Sequence, residues 1–165
     1  MPFGQLIETV EQLLEEHEAF LQVAEEKKRA LIKGDIEKLQ QIVNQEVQFI
    51  RRVEKLEEER IRQGRLIAEQ FGLPIEELTA SKLVQLDLDK ERAAKFNLLT
   101  GKFVKIMGDL RMANELNGQL IRQSLELVEH TIDLMTEMPD SGTYSGNGDS
   151  GQAVAGPRRF FDTQV

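Results

Sequence analysis

The chain has no cysteine and no tryptophan, a single tyrosine, and no long apolar run. Without cysteine it can form neither a disulfide nor a cysteine-ligated zinc site, and it has no thiol nucleophile. No run of about 18 apolar residues predicts a transmembrane helix, and the first residues lack the basic and apolar regions of a signal peptide. We therefore expect a cytoplasmic protein without stable membrane insertion.

Basic residues are also in short supply. The sequence contains 21 Lys and Arg against 29 Asp and Glu, which gives a formal net charge of -8. An acidic surface repels phosphate backbones, so nucleic acid is not an expected partner. We expect the partners to be proteins.

Histidine, a common catalytic and metal-binding residue, occurs only twice in the sequence. The two histidines, His17 and His130, lack a glutamate three residues before them, which excludes the paired Glu-x-x-His motifs of a di-iron site. No cluster supplies zinc ligands, and no strand-turn-helix elbow activates a serine. We expect no cofactor and no enzymatic activity, and we disfavour a metal-dependent enzyme. His17 is predicted to be a hydrogen-bonded residue of the core or its boundary.

Apolar residues recur every three or four positions over most of the chain, a pattern that predicts amphipathic α-helices. Three main helices are expected, at Phe3–Leu31, Ile36–Phe71 and about 89–138. Gly34 and Asp35 can end the first helix and cap the second. The predicted fold is all-α: an elongated antiparallel helical bundle, coiled-coil-like, with a short crossover helix in 75–89 for which Ser81 is a plausible cap.

The apolar positions also predict which side chains face the core. In the second helix we expect an inward set of Ile36, Leu39, Val43, Val47, Ile50, Val53 and Leu56. In the third helix we expect Phe96, Leu99, Phe103, Ile106, Leu110, Ala113 and Leu120. Three polar residues interrupt the third helix and are predicted to fix its register rather than bind a ligand: Asn114, Asn117 and Gln119.

The composition changes abruptly after Pro139 to glycine, serine, aspartate and asparagine. Such a segment buries too little apolar surface to offset the conformational entropy lost on ordering. We predict two regions, a helical bundle at 1–138 and a disordered tail at 139–165. No role is assigned to Arg158–Val165.

The apolar face of the third helix widens near its end, to about half of the circumference. It comprises Leu120, Ile121, Leu125, Leu127, Val128, Ile132, Leu134, Met135 and Met138. A methionine-rich apolar surface accommodates varied helical partners. For residues 120–128 two readings stay open, a partner surface or ordinary core covered by the first helix and the crossover. For residues 132–138 a partner surface is favoured.

Several blocks of the sequence resemble the FlgN family of flagellar type III export chaperones, over most of residues 5–148. They are K-G-D at the first turn, E-K-L-E-E-E-R, and A-N-E-L-N-G-Q-L-I-R-Q-S-L-E-L-V before a Gly-rich tail with a tyrosine. The resemblance implies a chaperone that binds the C-terminal helical region of hook-associated (hook-filament junction) proteins and docks on the cytosolic domain of the flagellar export gate. Carried onto this chain, it implies Tyr144 as the docking residue and a cargo surface of Ile121, Leu125, Val128, Ile132, Met135 and Met138.

One alternative of another class remains. A long amphipathic helix is also typical of a structural coiled-coil subunit that assembles with its own copies. Sedimentation of the purified protein distinguishes the two functions.

Overall fold

The computed structural model describes residues 2–87 and 89–137. Within them the chain forms four α-helices, one 3-10 turn and no strand, so the predicted all-α class is confirmed. The elements are α1 (Pro2–Lys33), α2 (Ile36–Phe71), the 3-10 turn (Ile75–Glu77), α3 (Ala80–Leu86) and α4 (Lys90–Glu137). The predicted tail at 139–165 lies outside the described residues.

The chain divides into two units, residues 1–129 and residues 130–165. The first unit contains the hydrophobic core. Of the second unit the structure describes residues 130–137, which are helical. The domain boundary predicted at 138–139 stays a prediction.

Local chemistry sets the first turn as predicted. Gly34 adopts a left-handed φ of 69°, which costs glycine little because it has no Cβ. The Asp35 carboxylate then accepts a hydrogen bond of 3.0 Å from the backbone N–H of Lys38 and caps α2. Gly72, with a φ of 63°, ends α2 in the same way, and its N–H donates to the carbonyls of Ala68 and Glu69.

The crossover after α2 corrects one prediction. Thr79, and not Ser81, caps α3: its Oγ1 accepts a hydrogen bond of 3.2 Å from the N–H of Lys82. Thr79 has the extended backbone that a capping residue needs, whereas Ser81 already lies within the first turn of the helix.

Pairs of contacting residues define the directions of the long helices. Between α1 and α2 they are Phe3 with Phe71, Thr9 with Gln63, Glu16 with Arg52, and Lys27 with Glu46. Residue numbers increase along α1 as those of their partners in α2 decrease, so α1 and α2 run in opposite directions. Between α1 and α4 the pairs are Glu11 with Lys95, His17 with Phe103, and Ala24 with Asn117. These two helices run in the same direction, and α1 contacts both α2 and α4.

The core is concentrated where α1 and α4 begin and α2 ends. It contains Phe3, Leu6, Ile7, Leu14, Ile67, Leu83, Phe96 and Leu99. Burying each of the large apolar side chains contributes about 1.5 to 3 kcal/mol. Leu83 brings α3 into this cluster, so the crossover is part of the core.

The predicted inward set of α4 is confirmed, because each member is buried or half-buried. The predicted set of α2 is wrong in part: Leu39, Val53 and Leu56 are half-buried, but Ile36, Val43, Val47 and Ile50 are exposed. Ile42 and Phe49 are buried instead. Consecutive residues of a helix point about 100° apart, so Val43 points away from the direction in which Ile42 meets the core.

Candidate partner-binding site

The buried face of α4 ends at Asn117, whose side chain is 3% exposed. Its Nδ2 donates a hydrogen bond of 3.0 Å to the carbonyl of Ala24 in α1, while its Oδ1 is buried without a partner in the described structure. This buried contact joins α4 to α1, and the predicted role of Asn117 in fixing the register stays a prediction. Asn114 and Gln119 are exposed and lie outside the buried face of α4.

Beyond Leu120 the apolar residues of α4 in the first unit are exposed. Ile121 is 37% exposed, Leu125 42% and Val128 54%; we call these three residues the α4 stripe. Leu120 is half-buried, whereas every residue from 121 to 128 is exposed. The reading of this stretch as ordinary core is therefore wrong for residues 121–128.

In the second unit, Ile132 is 46% exposed and Met135 74%. Met138 and Tyr144, the remaining predicted site residues, lie outside the described residues. The assignment of these positions to partners stays a prediction.

A cavity of about 320 Å³ opens between α1, α2 and α4 in the first unit. Its lining comes from all three helices: Val10, Leu13, Glu57, Arg60, Phe96, Thr100, Phe103 and Val104. No pattern in the sequence predicted this cavity. The exposure of Val104 and Met107 of α4 was not predicted either, although their heptad spacing from the α4 stripe was a usable signal.

His17 packs between α2 and α4. Its Nδ1 lies 2.6 Å from the carbonyl of Leu13, and since a carbonyl only accepts, Nδ1 carries the proton. The ring meets Phe49 of α2 edge-on at 5.4 Å and Phe103 of α4 at 5.0 Å between centroids. The prediction of a hydrogen-bonded boundary histidine is confirmed.

An ion pair fixes the junction between the crossover and α4. The Arg92 guanidinium donates to both oxygens of the Asp87 carboxylate, at 2.7 and 2.6 Å. Hydrogen bonding to Arg92 holds the pKa of Asp87 below its usual range, and Asp87 in turn raises the pKa of Arg92. Arg92 also lies 5.7 Å from the centre of the Phe3 ring, which connects this junction to α1.

Among the described residues, no group of three or more histidine, aspartate or glutamate side chains could hold a metal ion. No helix in the described part combines the length and the apolar character needed to cross a membrane.

The described chain is thus an all-α protein with exposed apolar residues on its long helices. The family model described as FlgN protein matches residues 1–151, and the chain belongs to this family of flagellar export chaperones. An "Uncharacterized protein YvyG" of Bacillus subtilis (strain 168) is 24% identical over 160 residues, covering 97% of each chain. No solved structure matches. The predicted resemblance is confirmed, and the chain is a chaperone of flagellum biogenesis rather than a member of an enzyme family.

Proposed function

We propose that this protein is a cytoplasmic chaperone that binds the C-terminal helical region of hook-associated proteins, prevents their premature assembly and delivers them to the flagellar type III export gate. The observation that carries the proposal is the α4 stripe, three apolar side chains on successive turns that the chain's own fold leaves exposed. Exposed apolar faces of this kind are typical of protein interaction sites.

The mechanism is masking. A cargo helix built to assemble with its neighbours exposes an apolar face while it is free, and such faces self-associate. When this face packs against the α4 stripe, both apolar surfaces leave water, which supplies the binding free energy. We assign Ile132, Met135 and Met138 to the same cargo-binding role on the basis of their sequence positions.

Delivery requires a second interaction, which we assign to Tyr144 and the cytosolic domain of the export gate. Replacing Tyr144 by alanine is expected to leave the cargo affinity unchanged and to weaken binding to the purified gate domain. Loss of cargo binding as well would contradict a separate docking role.

The cargo site is tested by isothermal titration calorimetry, which measures the affinity of the purified chain for the isolated C-terminal helical segment of a hook-associated protein. Leu125→Asp and Ile121→Asp are each expected to lower the affinity at least about tenfold, because each places a charge in an apolar contact. Both side chains are exposed, so the helical content measured by circular dichroism is expected to be unchanged.

Met112→Asp is the matched control, since Met112 is an exposed apolar residue of α4 that lies outside the stripe. It is expected to bind as the wild type does. Wild-type affinity of both stripe variants would refute the site. In the second unit, Ile132→Asp combined with Met135→Asp is expected to abolish co-purification with the cargo segment.

A further inference from the structure

An exposed apolar stripe lies on α2, on the side of that helix that leads to the three-helix cavity. It consists of Val43, Val47 and Ile50, and we call it the α2 stripe. Ile50 precedes Glu57 by seven residues, and Glu57 lines the cavity. In helices that pack side by side, residues seven apart lie in one row along the helix. The row of Glu57 therefore continues from the cavity into the α2 stripe.

The α4 stripe is related to the same cavity by the same spacing. Ile121 lies three heptads from Thr100, and Leu125 lies three heptads from Val104. Thr100 and Val104 both line the cavity. The exposed Met107 occupies the row between Thr100 and Ile121. Rows with exposed apolar residues, one on α2 and two on α4, thus extend from one cavity, and Arg111 and Asn114 are the polar members of the α4 rows.

Near the end of α2 and the start of α4, the crossover covers the same rows. Gly64, seven residues after Glu57, faces the 3-10 turn region: a Cβ at this position would lie 3.7 Å from both Ile75 and Leu78. Ala93, seven residues before Thr100, is buried and shares a small pocket with Leu83 and Val84 of α3. The crossover therefore lies over both rows at one end, and beyond the cavity the two stripes are left exposed.

We propose that a partner helix occupies the groove between α2 and α4 as the fourth helix of the bundle, with the α2 stripe as its second wall. The proposal rests on the proposed function and deepens it: the occupant is the amphipathic helix of the export cargo, held from two sides. From Ile36 to Ile50 the exposed apolar side of α2 is about 21 Å long at ~1.5 Å per residue, which matches four turns of a partner helix.

Two observations select this occupant. At the covered end the 3-10 turn region packs on Gly64 of α2 and α3 lies beside Ala93 of α4, so helical backbone already packs against both rows. A second copy of this chain is disfavoured because two molecules of net charge -8 repel each other.

Glycines inside α4 fit a close approach from outside. Gly118 lies in the row of Val104 and Leu125, and a Cβ there would meet only the flexible end of Arg122, at 3.6 Å. A Cβ at Gly108 would meet nothing within 4 Å. Glycine weakens a helix interior, and no contact within the described chain requires it at either position. A partner helix packed against this side of α4 could use the space that the two glycines leave free.

The test compares the two walls by titration with the isolated cargo segment. Val43→Asp and Val47→Asp are expected to lower the affinity at least about tenfold, as Leu125→Asp does. Gln41→Asp, which adds the same charge at an exposed site of α2 outside the stripe, is the control and is expected to bind normally.

Wild-type affinity of both α2 variants beside a weakened Leu125→Asp would overturn the two-walled groove and leave the proposed function intact. Wild-type affinity of Val43→Asp, Val47→Asp and Leu125→Asp would refute both the two-walled groove and the proposed function. If the protein alone forms a dimer that Val47→Asp dissociates, a second copy is the occupant and the proposal is wrong.

A second measurement reads out contact directly. Because the chain has no cysteine, a nitroxide can be attached at one site through Val47→Cys, Met107→Cys or the control Gln41→Cys. Saturating cargo segment is expected to immobilise the first two labels and leave the third mobile in electron paramagnetic resonance spectra. A mobile label at Val47 in the saturated complex would overturn the proposal. If the labels at positions 47 and 107 are immobile without cargo and become mobile when residues 139–165 are deleted, the chain's own tail is the occupant. That result would also overturn the proposal.

Discussion

At the scale of single residues, the most informative side chain is Asn117. It lies in an otherwise apolar seam, uses one polar atom on the carbonyl of Ala24 and leaves the other buried without a partner in the described structure. An unsatisfied buried acceptor costs stability, so its retention is typical of a residue that specifies alignment. Asn117 is the last buried residue of α4 among the described residues, and the α4 stripe begins four residues later.

The Asp87–Arg92 pair predicts a pH dependence of stability. The folded-state pKa of Asp87 lies below that of the unfolded chain, about 4. Its stabilisation is therefore fully present above about pH 4 and is lost as the pH falls through the folded pKa. Asp87→Asn is expected to lower the free energy of unfolding by about 1 to 2 kcal/mol at pH 7. In urea unfolding this difference from the wild type is expected to shrink at acidic pH. Asp133→Asn, at an exposed position, is the control; a difference independent of pH would contradict the assignment.

At the scale of the elements, apolar periodicity predicted the ends of the long helices because glycine and capping residues coincide with breaks in the pattern. It predicted the inward face of α4, which has one dominant heptad seam over residues 96–113. It failed for α2, where Ile42 and Phe49 form one apolar row and Val43 and Ile50 another about 100° away. Only the positions of α1, α4 and the crossover decide which row is covered, and those contacts are not encoded within α2.

Two glycines give the same substitution opposite effects. Gly108→Ala is expected to raise the free energy of unfolding by about 0.5 to 1 kcal/mol, because Gly108 is helical and a Cβ there meets nothing within 4 Å. Gly34→Ala is expected to lower it by about 1 to 2 kcal/mol, because Gly34 has a φ of 69°. Urea unfolding of the two variants measures both effects. Equal signs would contradict either the helical state of residue 108 or the left-handed turn.

At the scale of the whole molecule, the sequence predicted the family through short motifs near the first turn and in the second half of α4. The family model then matched residues 1–151. The exposure of Ile121, Leu125 and Val128 agrees with the predicted surface, and their role in binding a partner stays a prediction. The exposure of the α2 stripe was not predictable from α2 alone, because the packing of α2 against the other helices decides which of its apolar rows is covered.

The remaining alternative, a self-assembling coiled-coil subunit, makes an opposite prediction for the protein alone. A chaperone whose apolar stripes await a cargo helix is expected to sediment as a monomer of 18.8 kDa over a wide concentration range. Repulsion between copies of net charge -8 opposes pairing at low salt, and raising the salt to about 1 M shortens the screening length to about 3 Å. A monomer at both salt concentrations supports the chaperone. A stable dimer at high salt that Leu125→Asp dissociates would favour assembly, because the α4 stripe would then have its own copy as its partner.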